Sequence, residues 1–146
     1  MAETANSPRR AAPPYQLEDQ VGFKLRLANQ RHLEIFNKRM PDITPTQFAV
    51  LAKLRDEVCI SQNQLGRLVG MDAATTKGVV DRLRKKGLVQ STPSATDMRR
   101  LEISLTETGK EFSAEAITVA HAISAETVSN LTPREVDRLL TLLDKL

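Results

Sequence analysis

The chain has 146 residues, of which 40 % are apolar and 27 % charged, with four Phe, one Tyr and no Trp. That is a globular balance, and its poverty in aromatics argues against a β-sandwich. A single cysteine excludes an intrachain disulfide framework, one cysteine with two histidines excludes the usual clustered zinc sites, and no apolar run reaches the roughly 18–20 residues of a membrane span. Residues 1–16 carry Pro8, Pro13, Pro14, Arg9 and Arg10 with no apolar stretch of a secretory signal. They read as a disordered arm. The expectation is a soluble cytoplasmic protein of mainly helical class.

A helix pattern begins at Leu17. Leu17, Val21, Leu25, Ala28, His32 and Ile35 step by threes and fours, and Asn29, Leu33, Phe36 and Met40 run beside them. Two adjacent lines make a face wide enough for the protein's own core and a partner. Pro41 ends the helix. Three later helices announce their starts. Thr44, Pro45 and Gln47 form a capping box with Ile43 and Phe48 as hydrophobic staple. Ser61 and Gln64 repeat the grammar with Ile60 and Leu65, as do Thr132, Pro133 and Glu135 with Leu131 and Val136.

The segment from Ile60 to Gly87 predicts a helix-turn-helix. A first helix over Gln62 to Val69 stops at Gly70, Asp72 caps a second helix over Ala73 to Lys86, and Gly87 stops that one. Leu65, Val69, Met71, Thr76, Val79, Val80 and Leu83 can close one small core, and Gly66 lets the second helix approach closely. The second helix then turns Ala73, Ala74, Lys77, Asp81, Arg84 and Lys85 outward. Small residues let such a helix enter the major groove. Ala74 and the Thr75 methyl can touch thymine methyls, and Lys77 can donate to guanine. Arg82, Arg84 and Lys85 suit phosphates. From Asp72 to Arg100 there are seven basic and three acidic residues, a local excess of four against a whole-chain net of +3. A charge run by itself also describes a solvated helix face. Here it continues into Leu88-Val89, the turn-rich Ser91 to Asp97, and the alternating Leu101, Ile103 and Leu105, which together read as a β-hairpin. A helix-turn-helix followed by a hairpin with a basic tip, Arg99 and Arg100, is a winged helix. A helix resumes after Thr106 and closes at Asn130, and a Leu-rich helix runs from Pro133 to Leu146.

These pieces together resemble the MarR family of dimeric transcription regulators. Thr44 to Leu51 looks like the family's second helix. Val80 to Val89 looks like its recognition helix entering the wing. Asp97-Met98-Arg99-Arg100 and Ser104 to Gly109 look like its wing signature and fifth helix. The resemblance implies a mainly α fold with a small β-hairpin wing. The winged helix-turn-helix lobe would span 44–106, and the dimerisation helices 17–43 and 107–146. It implies that Asp97 braces the wing and that Arg99 enters the minor groove. Where family members often carry arginine this chain has Ser91, so a phosphate or wing-bracing contact is expected to be missing there.

The resemblance also implies a repressor that binds a pseudo-palindromic operator in double-stranded DNA as a homodimer. A small-molecule effector would sit between dimer helices and lobe. Arg26, Asn29, Arg31 and His32 of the first helix are candidates to line that site, and basic groups beside Leu33 and Phe36 suit an aromatic acid or acyl-thioester. A constitutive DNA-binding protein needs no such pocket. Enzymatic motifs are absent: no G-x-S-x-G, no P-loop, no G-x-G-x-x-G. No cofactor or metal is expected. A thiol sensor at Cys59 is the other alternative, but between Val58 and Ile60, with Glu57 nearby, an inert buried thiol is expected.

Overall fold

The computed structural model describes residues 11–146. Of the arm read over residues 1–16, residues 1–10 lie outside the described residues, and residues 11–16 form no regular element. Six helices follow: α1 (Val21–Arg39), α2 (Pro45–Glu57), α3 (Gln62–Val69), α4 (Ala73–Lys85), α5 (Glu107–Thr127) and α6 (Pro133–Leu143). Three short strands, β1 (Cys59–Ser61), β2 (Val89–Pro93) and β3 (Leu101–Leu105), form one antiparallel sheet in the order β1-β3-β2. The hairpin read from the sequence is β2 with β3, pairing Val89 with Leu105 and Pro93 with Leu101. The added strand β1 pairs Ile60 with Ile103 on the other side.

The caps explain the helix starts. Thr44 and Gln47 exchange both bonds of a capping box, as do Thr132 and Glu135. At Ser61 the hydroxyl accepts from the Gln64 amide at 3.2 Å. Gly70 and Gly87 take the left-handed conformation, with φ of 69° and 74°. The core sits where α2, α3, α4 and the sheet meet. Leu51, Leu54, Leu65, Leu83, Ile103 and Val80 are almost wholly removed from water there. Val69 and Met71 pack against it half-buried.

Three boundaries differ from the sequence reading. Leu17–Asp19 form a single 3-10 turn and Gln20 is extended, so α1 begins only at Val21. The extended Gln20 serves as its N-terminal flank, where the Leu17 carbonyl accepts from the Gln20 amide at 3.0 Å. The recognition helix stops at Lys85, not Lys86, because Gly87 begins the turn. Helix α5 stops at Thr127 rather than running to Asn130. Its last carbonyls are taken by α1: Arg31 donates to Glu126 O at 2.7 Å and to Thr127 O at 3.2 Å.

The wide apolar face of α1 is only half covered within one chain. Ile35, Phe36 and Met40 are buried, while Val21 and Leu25 stand 67 % and 43 % exposed, with Leu17 of the preceding turn at 50 %. Helix α6 has no buried residue at all, and Leu139, Leu140, Leu142 and Leu143 face outward. No helix among the described residues is long and apolar enough to cross a membrane.

Candidate nucleic-acid interface

Helix α4 is held against the core by Thr76, Val79, Val80 and Leu83, all buried. Gly66 of α3 makes this approach possible. A Cβ there would lie 2.8 Å from Thr76 Oγ1 and 3.1 Å from Met71 O. With that face inward, Ala73, Ala74, Thr75, Lys77, Arg82, Arg84 and Lys85 are all exposed. The N-terminus is fixed by Asp72, whose carboxylate accepts from the Thr75 amide at 2.7 Å. That hydrogen bond holds the Asp72 carboxyl below its ordinary value.

Further along, Asp81 organises the charges. It accepts from Lys77 Nζ at 2.8 Å and from Arg84 Nη1 at 3.0 Å. The Lys77 hydrogen bond first, then the Arg84 contact, holds its carboxyl below the usual range. Arg84 also donates through Nη2 to the Ser91 hydroxyl on β2. The wing therefore has a brace to α4 at the position where the sequence reading expected one to be missing. A serine suffices because the arginine comes from α4 instead.

At the tip of the wing, Asp97 closes a tight turn. Its carboxylate accepts from the Arg99 amide at 3.0 Å, and its carbonyl from the Arg100 amide at 3.0 Å. Arg100 Nε lies 3.8 Å from the same carboxylate. Arg99 and Arg100 are exposed. Between wing and α3 is a recess of about 430 Å³ lined by Arg67, Arg99 and Arg100 with Gln62 and Asn63, and by no acidic residue. Arg67, Gln62 and Asn63 escaped the sequence reading. The only signal for them was their place on the first helix of the motif, which crosses the backbone when the second enters the groove.

The four α1 candidates do not form one cluster. Arg31 reaches Glu126 O, Thr127 O and Ser129 Oγ, and His32 Nδ1 sits 2.9 Å from Thr127 Oγ1. Both face the end of α5. Arg26 lies over the Phe23 ring at 5.3 Å, beside a cleft that Tyr15 and Val21 also line, and Asn29 is exposed.

Cys59 corrects the expectation of a buried thiol: it is exposed on edge strand β1. Its Sγ donates to Glu102 Oε2 on β3 at 3.1 Å. That hydrogen bond, then burial, pushes the thiol up from its ordinary value. The carboxylate comes from across the sheet, from a residue 43 positions away in the chain. A sensing thiol requires the opposite shift.

The sequence profile of the MarR family matches residues 43–101, from the opening of α2 to the start of β3. The transcriptional repressor NicR of Pseudomonas putida is 38 % identical over 135 residues, covering 91 % of this chain and 85 % of NicR. The chain belongs to the MarR family. Its fold agrees with the winged-helix structures of that family. One is BpsR of Bordetella bronchiseptica, studied for regulation of its DNA binding by 6-hydroxynicotinic acid. It has 34 % identity and a TM-score of 0.87 over 91 % of this chain and 96 % of that one. A mutant of Escherichia coli MarR in complex with operator DNA has 30 % identity and a TM-score of 0.79, over 86 % and 91 % of the two chains. As MarR-family relatives these are transcriptional regulators rather than enzymes.

Proposed function

We propose that this MarR-family chain is a homodimeric repressor that binds a pseudo-palindromic operator and releases it when a small aromatic acid binds. The observation that carries the DNA half is the exposed face of α4, small at its start and basic at its end, continuous with an arginine-bearing wing. Ala74 and Thr75 would meet base edges, and Lys77 would donate to a guanine. Arg82, Arg84 and Lys85 would meet phosphates, and Arg99 the minor groove. Arg67 and Arg100, in the acid-free recess, would hold the backbone between groove and wing. Asp97 would keep the wing tip closed.

The dimer reading rests on the uncovered apolar faces of α1 and α6. The effector reading rests on the relatives. BpsR is regulated by 6-hydroxynicotinic acid, and NicR is the repressor with 38 % identity. The BpsR ligand supports a hydroxylated pyridine carboxylate as the effector class. Arg26 and Asn29 are the α1 groups left to meet it between dimer helices and lobe, because Arg31 and His32 already serve the end of α5.

The test is selection of duplexes from a random pool, followed by anisotropy titrations. The expected motif has two-fold symmetry with half-site centres about 10 bp apart. 6-Hydroxynicotinate should release it. Lys77→Ala should cost roughly 1–3 kcal/mol and relax preference at one base pair. An asymmetric motif, or complexes indifferent to 6-hydroxynicotinate, would overturn the reading.

A further inference from the structure

On the side of the sheet where α2 ends and α5 begins lies a cleft of about 560 Å³ that the reading above does not use. Its volume falls within the roughly 300–1,000 Å³ of small-molecule sites. Leu54 and Leu105, both buried, supply apolar lining, and Val58 lines it beside Cys59. Two cations, Arg55 and Lys110, line it, and no carboxylate does. Glu102 and Glu107 are engaged with rim groups, one with the Cys59 thiol and the other with Lys110 Nζ at 2.9 Å.

Arg55 is held in place for a ligand. Its Nη1 donates to Lys110 O at 3.0 Å and to Ser113 Oγ at 3.2 Å. Among the described residues those are its side-chain hydrogen bonds, so the N–H groups on Nε and Nη2 remain. A guanidinium fixed through one nitrogen loses little further freedom when it binds a planar carboxylate.

A second feature at the same place is independent of the cleft. Val58 has φ 64° and ψ −57°, and it is the non-glycine residue with positive φ among the described residues. A β-branched side chain avoids that conformation. Strain of this kind gathers at functional sites. Here it marks the wall of the cleft, with the Val58 side chain 71 % exposed instead of packed in the core.

We infer that this cleft is a second small-molecule site, distinct from the α1 region, which takes a small aromatic monocarboxylate. The ring lies against Leu54, Leu105 and Val58, and the carboxylate meets Arg55 and Lys110. Lys110 already pairs with Glu107 while Arg55 meets no carboxylate, so the lining holds one uncompensated cation, which favours a monoanion over a dianion. Binding in this cleft is independent of the operator and of the proposed effector.

The single cysteine of the chain makes Cys59 a reporter at the rim. The experiment is alkylation of the full-length protein by iodoacetamide at pH 8.5, with benzoate as the probe. Saturating benzoate should slow Cys59 alkylation at least five-fold, neutral benzamide should protect less, and cationic benzylamine should not protect. Lys110→Glu should raise the half-protecting benzoate concentration at least ten-fold, and Lys110→Arg should restore it. Lys38→Ala, an exposed cation on α1 outside this cleft, should leave it unchanged. Val58→Gly, which removes strain and wall together, should fold at least as stably yet bind benzoate more weakly; it serves if Lys110→Glu misfolds. Alkylation indifferent to benzoate, or protection that survives in both Lys110→Glu and Val58→Gly, would overturn the proposal.

Discussion

Gly109 has the least room of any glycine described. A Cβ there would lie 1.9 Å from the Leu88 carbonyl oxygen, a backbone atom that cannot swing aside. The contact exists because α5 starts hard against the junction of α4 and β2: the Thr106 amide donates to Leu88 O at 3.1 Å, and Thr106 Oγ1 to Gly87 O at 2.6 Å. Gly109→Ala must push α5 off the lobe. It should cost about 3 kcal/mol, the upper end for overpacking, seen as a lower urea midpoint. An unchanged midpoint would contradict the packing. A second residue-scale effect concerns acid. Asp72 is held below its unfolded carboxyl value, so it stabilises the fold above that unfolded value, and the contribution is lost as pH falls through the folded one. Asp72→Asn, which can still cap, should flatten this part of the acid limb, measured as Tm against pH. Wild type and variant losing Tm in parallel on acidification would remove Asp72 from the account.

Helix α4 and its turn were legible because each device is local: an N-cap, a glycine stop, and a period that puts Thr76, Val79, Val80 and Leu83 on one side. The cap of α5 was not. Asn130 looked like a stop, but the end is set by Arg31, some 95 residues earlier in the chain, a pairing no local pattern reveals. Nor does a local pattern show that Arg31 and His32 both face the end of α5. It also missed Glu102 beside Cys59, since that approach requires the antiparallel register of β1 with β3. Together with the ion pair of Arg39 and Glu126, these α1 contacts form a latch between α1 and α5. Most of its strength should come from Arg31, which satisfies helix-end carbonyls; an exposed ion pair contributes little. Arg31→Ala should destabilise by about 1 kcal/mol and speed amide exchange in the last turn of α5. Arg39→Ala should do so by less than about 0.5 kcal/mol. Equal effects from the two variants would mean that the carbonyl contacts are not what holds the latch.

At the scale of the whole molecule, two uncovered apolar faces and one basic face must be reconciled. Leu25 on α1 and Leu139, Leu140 and Leu143 on α6 stand 36–56 % exposed, and the dimer reading rests on covering them. The proposed homodimer covers them and sets the distance between its two α4 helices, which must match one turn of DNA. In the proposed dimer the latch at the end of α5 would tie that distance to α1. A ligand seated between dimer helices and lobe can therefore act on DNA binding without touching DNA. It displaces the protein only if it binds the free dimer better than the operator-bound one, because equal affinity shifts nothing. A coupling of about 1–3 kcal/mol corresponds to roughly 5–150-fold weaker operator binding, and reciprocity requires operator to weaken the ligand by the same factor. The measurement is a calorimetric titration of 6-hydroxynicotinate into protein with and without saturating operator, beside operator titrations with and without ligand. The two ratios should agree. Arg26→Ala should weaken the ligand while leaving operator affinity near wild type. If operator leaves ligand affinity unchanged, the release mechanism fails even though the ligand binds.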